Sequence, residues 1–376
     1  MALISEAREA ATWTLRREME LLLCCSRTVM GPESARHARS LVHPGLDWDS
    51  LFDRALRHGV VQLLDRGLNS ACHDLVPEEI QRRLRDYCLS SALHSRYLGR
   101  ELQQILEVLD SSGVPALPFK GPALSQMAYG DATLRPASDL DILVEREDVP
   151  RVKRVLQSRG YRPWVEMTPR QEAAQLRIRY NYKLVGPTGR MLLEVHWAIA
   201  PRQFGLSLDF QELWDRRVEL SWLGRYTQSL SPEDLFLVLV IHGDRHGWRR
   251  LQWVCDLAEL VRATPKMDWA SVIQRARARR SLRRVLLALA LVEQVLGSFT
   301  PDVRGLPDAE LNRLNALVDE VRAGLYGRED LREASLRLSL FHLKTMDTVP
   351  DRLRYLTHPL RHTLFQLGRR LMPLQP

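Results

Sequence analysis

Cysteine is scarce in this chain, and so is lysine among its basic residues. The five cysteines, Cys24, Cys25, Cys72, Cys88 and Cys255, are odd in number and show no CxxC spacing. They read as small buried hydrophobes of a reducing compartment, which excludes a disulfide frame or a zinc knuckle. No apolar run reaches the roughly 18–20 residues of a membrane span, since Leu235–Ile241 and Leu286–Val292 are too short. The first residues carry Glu6, Arg8 and Glu9 where a signal peptide needs an apolar segment, so a cytoplasmic protein with no membrane partner is expected. Low-complexity linkers and internal repeats are lacking too.

At 376 residues the chain exceeds one ordinary domain. Its hydrophobic content, 45%, is enough for a sizeable core. A net charge of +8 favours acidic partners such as nucleotides or nucleic acid. Only five of the 54 basic residues are lysines, which gives Lys120 and Lys183 more weight than lysines usually have.

Three regions follow from the hydrophobic periodicity. Residues 1–110 read as helices, with Ala7–Cys25, Asp49–Gly67 and Pro77–Leu109 as examples; His58 there is a helical residue and not a ligand. Residues 111–228 alternate strands with helices. Val114–Phe119 and Asp139–Val144 are strands, Pro122–Tyr129 and Asp148–Arg159 are helices, and Tyr180–Val185 with Arg190–Trp197 forms a hairpin around Gly186-Pro187-Thr188-Gly189. Residues 229–376 return to helices at about 235–247, 251–263, 268–297, 308–325, 328–345 and 350–370. The first is announced by Ser231-Pro232-Glu233-Asp234, an N-cap serine, a proline and two acids. The expected fold class is α+β, a small mixed sheet flanked by N- and C-terminal helical regions.

The chemistry concentrates in the middle region. Side chains alternate along a strand, so Asp139 and Asp141 project from one face while Leu140, Ile142 and Val144 anchor the other. Two carboxylates about 7 Å apart repel unless a cation sits between them. On Arg190–Trp197 the same alternation puts Glu194 and His196 on one face, and Glu194 completes a triad if the two strands are neighbours. Such a triad suits two Mg²⁺ ions, one polarising an acceptor hydroxyl and one holding a triphosphate. Lys120 and Gly121, at a helix start, would meet the phosphates, with Ser138 beside them. Arg135 would offset charge as pyrophosphate leaves. His196 serves equally well to orient a neighbouring side chain.

The run Phe119-Lys120-Gly121-Pro122-Ala123-Leu124, then Tyr129-Gly130-Asp131, then Leu134 through Val144, followed by Leu193-Glu194-Val195-His196-Trp197, resembles the bacterial nucleotidyltransferase family. Its members are distant relatives of the DNA polymerase beta-like superfamily. The resemblance is specific over about 110–200 and looser over the flanking helices. It implies transfer of a nucleoside monophosphate from an NTP such as ATP, with Mg²⁺ or Mn²⁺ held by Asp139, Asp141 and Glu194, and Lys120, Gly121, Arg135 and Ser138 on the nucleotide. Three departures mark this chain: Lys120-Gly121 stands where the superfamily has Gly-Ser, the interval to Asp139 is longer, and the third acid is Glu194 instead of aspartate.

Other motifs carry less. Lys183 reads as an exposed hairpin position. His242 and His246 share a helix face with Asp256 following, which suits a pocket wall or helix–helix hydrogen bonds better than zinc. Six arginines fall between Arg275 and Arg284 without interleaved aromatics, so a solvated helix face is expected and not an RNA platform. A small-molecule acceptor is therefore the expected partner. Two rivals remain: a nucleotide-binding regulatory protein without turnover, and a transferase acting on tRNA or protein, nucleic acid being the less favoured partner.

Overall fold

The computed structural model describes residues 17–204, 208–222, 224–298, 307–327 and 331–357. The N-terminal part is helical: residues 17–25, then α1 (Pro32–Leu41), α2 (Trp48–His58), α3 (Val61–Ala71) and the long α4 (Glu78–Ser111). The α/β part runs β1 (Ala116–Pro118), α5 (Gly121–Leu124), β2 (Asp139–Val144), α6 (Val149–Gln157), β3 (Arg162–Pro163), α7 (Pro169–Ile178), β4 (Asn181–Val185) and β5 (Leu192–His196). After the short α8 (Phe210–Asp215) a separate hairpin, β6 (Val218–Trp222) and β7 (Arg225–Ser229), leads into the C-terminal helices. These are α9 (Pro232–Arg245), α10 (Leu251–Ala263), α11 (Trp269–Ala278), α12 (Leu282–Leu296), α13 (Asp308–Tyr326) and α14 (Leu331–Thr345). No helix among the described residues is long and apolar enough to cross a membrane.

The main sheet has the order β1-β2-β5-β4-β3. Only β2 and β5 run parallel; the other three pairings are antiparallel. That mixture follows from chain order, because β4 and β5 close as the expected hairpin while β5 inserts beside β2. One apolar cluster lies on the sheet, under the second half of α4 and α6, with Leu98, Leu102, Ile105, Leu140, Ile142 and Val152 in it. A second, larger cluster joins the N-terminal helices to α9, α10 and α12 through residues such as Leu21, Leu64, Phe236, Leu257 and Leu287. The two helical ends of the sequence thus share a core, and the sheet is seated against it.

Local differences from the sequence reading have identifiable causes. The helix expected over Pro122–Tyr129 is one turn of α-helix that widens into a π turn at Ser125–Tyr129 and ends on left-handed Gly130. The expected helix over 268–297 is two: the chain breaks between α11 and α12, where Arg280 adopts φ +53° and Ser281 turns its hydroxyl back to Ala276. Helix α7 and the β6–β7 hairpin were not expected; α7 starts at a capping box made by Thr168 and Gln171. The expected helices at 7–25 and 350–370 are seen over 17–25 and up to residue 357, and their remainders lie outside the described residues.

The arginine run is not a solvated face. Arg275 reaches Asp234 at 2.9 Å, Arg279 pairs with Glu212, Arg283 meets Glu310 at 2.6 Å, and Arg284 is buried against Asp244 at 2.8 Å. With α9 buried nearly all round, its carboxylates Asp234 and Asp244 need counter-charges, and the α11–α12 arginines supply them. Removing one member of a buried pair strands the other, at a cost of about 3–5 kcal/mol. Arg284→Ala is therefore expected to lower unfolding free energy by about that much in urea titration, while Arg277→Ala, at an exposed site, changes it by less than about 0.5 kcal/mol.

Candidate active site

Pairing of β2 with β5 decides the site. The parallel register sets Asp141 opposite Glu194 and Asp139 opposite Leu192. Residues opposite one another share a face, so both aspartates, Glu194 and His196 emerge on the same side of the sheet. On the other flank of β5, antiparallel β4 sets Lys183 opposite Glu194 and Asn181 opposite His196, adding a cation and an amide to that side.

Asp141 is 2% exposed and is the most enclosed of the acids. Its Oδ1 accepts from Lys120 Nζ at 3.0 Å and meets His196 Nε2 at 2.9 Å. The same His196 nitrogen lies 3.3 Å from Glu194 Oε2, which also accepts from Asn181 Nδ2 at 2.7 Å. Lys183 donates to the other Glu194 oxygen. Lys183 is thus part of the site and not a plain hairpin position. The His196 ring is fixed edge-on to Phe119, with centroids 5.1 Å apart.

These partners set the charge states. Burial alone would raise the Asp141 pKa, but Lys120 and His196 hold it well below the usual carboxylate range. Burial likewise opposes ionisation of Glu194, yet hydrogen bonds from His196 and Lys183 bring it down to about 2. His196 is pushed down by burial and pulled further up by Asp141 and Glu194, so its pKa ends above the ordinary imidazole value. Asp139 keeps a raised pKa, because burial and the neighbouring Asp141 charge outweigh Lys120.

Ligand atoms of Asp141, Glu194 and His196 lie within 4.8 Å of one another. Asp139 is not in that group, although its carboxylate feels both other acids. Three carboxylates crowded on one sheet face and paired with Lys120, Lys183 and His196 offer mostly oxygen donors, which fit Mg²⁺ or Mn²⁺ better than zinc. Of this set, Asp139, Asp141 and Lys120 reach a cleft of about 750 Å³, which Gly121 also helps to line.

The remaining expected residues fare differently. Gly121 opens α5 with φ +56°, and a Cβ there would come 3.1 Å from the Asp139 carbonyl, so this turn requires glycine. Ser138 is exposed and directs its hydroxyl to Asp139 Oδ1 at 3.3 Å. Arg135 borders the cleft, but its guanidinium is committed elsewhere: Nε and Nη2 meet the Asp256 carboxylate at 2.7 and 3.0 Å. Tyr129 donates to the same carboxylate at 2.8 Å. Asp256 therefore ties the π turn to α10. Its commitment removes it from any zinc site with His242 and His246, whose rings instead pack on each other and on Trp253 along the cleft wall.

Sequence reasoning missed Asn181 and most of the far wall, of which it had expected only His242 and His246. Asn181 carried a usable signal, being two residues before Lys183 on the same strand face. The contributions of Tyr87 and Ser91 from α4, of Arg250 just before α10 and of Trp253 on it carried none, because they arise from packing between distant segments.

Residues 44–297, more than half of the chain, match the family model described as uncharacterised nucleotidyltransferase. The chain belongs to that family and is a nucleotidyltransferase. A comparison with curated proteins found no match. Among solved structures, the chain is similar to a crystal structure of ANT(2")-Ia in complex with adenylyl-2"-tobramycin, at 17% identity and a TM-score of 0.35, over 48% of this chain and 96% of that one. It is also similar to a solution structure of ANT(2'')-Ia, an antibiotic-resistance factor, at 18% identity and a TM-score of 0.34, over 49% and 92%. A third is an antigenic nucleotidyltransferase-like protein from Paracoccidioides brasiliensis, at 16% identity and a TM-score of 0.29, over 54% and 92%.

The Glu194 environment has a measurable consequence. A carboxyl whose pKa falls from 4.5 unfolded to about 2 folded stabilises the protein above pH 4.5, and that contribution is lost as pH drops toward 2. Urea unfolding followed from pH 6 to pH 2 is expected to show Glu194→Gln less acid-sensitive than the wild type, with its stability deficit shrinking as the pH falls.

Proposed function

We propose that the protein transfers a nucleoside monophosphate from a Mg²⁺-bound NTP to a hydroxyl or phosphate on a small molecule. The observation that carries this reading is the in-register pairing of Asp141, which lines the cleft, with Glu194 on the neighbouring strand. The acceptor oxygen attacks the α-phosphorus, the bond to the α–β bridging oxygen breaks and pyrophosphate leaves with its electron pair; where the acceptor is a hydroxyl, its proton passes to solvent water. Bound divalent metal would supply Lewis-acid polarisation of the phosphate and acceptor oxygens, held by Asp141 and Glu194 with Asp139 as the third acid.

The chain's own groups do the rest. Lys120, Lys183 and His196 keep Asp141 and Glu194 ionised at neutral pH, so no proton must leave before a cation binds. Lys120, at the cleft floor, is the cation closest to where phosphate oxygens would sit, and the Gly121 turn lets backbone come near them without a Cβ in the way. Arg135 acts through position: fixed on Asp256, it holds the loop that leads to Ser138 and Asp139. Trp253 and His246 offer flat faces on the wall, suited to a base or a sugar. The tRNA or protein alternative drew on net positive charge, and the ion pairs of Arg275, Arg279, Arg283 and Arg284 take the basic helix start away from it.

A ligand present at 100 times its Kd stabilises a protein by about 2.7 kcal/mol. In a thermal-shift panel of ATP, GTP, CTP and UTP, at least one is expected to raise Tm by several degrees with Mg²⁺ and by much less with EDTA. Asp139→Asn with Asp141→Asn is expected to abolish the metal-dependent part. No Mg²⁺-dependent shift with any NTP overturns the proposal.

A further inference from the structure

The cleft is chemically lopsided. Its acids, Asp139 and Asp141, are both at the floor. The wall facing them, built by α4 and by the α9–α10 corner, carries no carboxylate among its lining residues. It carries Arg250, three imidazoles (His94, His242 and His246), and hydroxyls such as Ser91.

Arg250 stands apart from the other cleft cations. Lys120 is held by Asp141, and Arg135 by Asp256. Arg250 makes no side-chain hydrogen bond or ion pair among the described residues; it is the extended residue that caps the start of α10, and its side chain is exposed on the cleft side. Arg216, Arg275 and Arg284 are each matched to a carboxylate of α9, which Arg250 is not. The neighbouring imidazoles do not add to its charge: burial and the nearby Lys120 keep His242 neutral, and burial with Arg245 brings His246 to about 3. They offer hydrogen-bonding atoms and ring faces instead.

We propose that the acceptor is an anionic small molecule bearing a phosphate or carboxylate, and that Arg250 on the carboxylate-free wall receives that group while the acceptor's reacting oxygen faces Asp139 and Asp141. The inference rests on the nucleotidyl-transfer reading and adds the substrate class. A polycationic acceptor is disfavoured by the same geometry, since its ammonium groups would meet Arg250 and find no counter-carboxylate on that wall. A guanidinium is suited to the task because its fork matches either oxyanion bidentately.

The test uses the full chain with Mg²⁺ and a saturating non-hydrolysable ATP analogue, titrated calorimetrically with glucose 6-phosphate, gluconate, glucose and tobramycin. At least one of the two anionic probes is expected to bind beside the analogue, with glucose at least tenfold weaker and tobramycin not binding. The pair of anions distinguishes phosphate from carboxylate. Arg250→Glu is expected to lose tenfold or more in affinity for the anionic probe with the analogue's own Kd unchanged, and Arg250→Ala controls for any effect of the new acid on folding. The proposal is overturned if neither anion binds, if Arg250→Glu binds it as well as the wild type, or if tobramycin binds more tightly. An anionic probe that displaces the analogue overturns it too, by assigning Arg250 to the triphosphate. Failure of the analogue itself to bind removes the transfer reading and this proposal with it, whereas analogue binding without a bound anion removes this proposal alone.

Discussion

Crowding three carboxylates at one edge of a buried sheet face is unfavourable unless positive charge is built in around them. That constraint organises the middle of this protein. Asp141 is almost wholly enclosed, Glu194 lies opposite it on the next strand, and Asp139 adds a third charge one repeat away. Counter-charge comes from every strand within reach: Lys120 from the end of β1, His196 from β5 itself, Lys183 from β4. The mixed strand order is what makes this possible, because β5 between β2 and β4 exposes Glu194 to partners on both flanks.

The helical parts serve the same site at longer range. Helix α10 packs on the π turn, where Asp256 binds Arg135 and Tyr129 together and so fixes the segment leading to Asp139. Helix α4 runs past the sheet and lends its first half to the cleft wall. With the N- and C-terminal helices sharing one core, the wall facing the carboxylates is as well anchored as the floor. A cleft made between two packed bodies in this way suits a reaction that brings together two substrates and must exclude water from the transfer.

Local periodicity made the sheet face legible. Alternation alone put Asp139 with Asp141 and Glu194 with His196, and the turn residues 186–189 announced the β4–β5 hairpin. What it could not supply was which strands are neighbours; Glu194 joins the aspartates only through a parallel pairing across about fifty residues of chain. The same limit hid the true partner of Arg135, an aspartate 121 residues away, and the fate of the arginines at 275–284, whose acids belong to α8, α9 and α13. Charge runs in a sequence look solvated because their counter-ions arrive from elsewhere in the fold. Lys183 was undervalued for the same reason: an exposed hairpin position and a carboxylate partner are compatible once β4 lies against β5.

Lys120 and His196 approach the same oxygen of Asp141, but they are not equivalent occupants. His196 is enclosed, flanked by Phe119 and Tyr180 and bonded to Glu194 as well, so its place is set by packing. Lys120 has a flexible stem and opens onto the cleft. If a divalent cation takes over the neutralisation of Asp141, the lysine is the group with somewhere to go, and the nearest place is the floor where phosphates would lie. One ammonium can then answer two demands in turn, balancing the acids first and the nucleotide afterwards. Cation and nucleotide would each reduce the electrostatic cost of admitting the other, and that reciprocity holds whichever binds first.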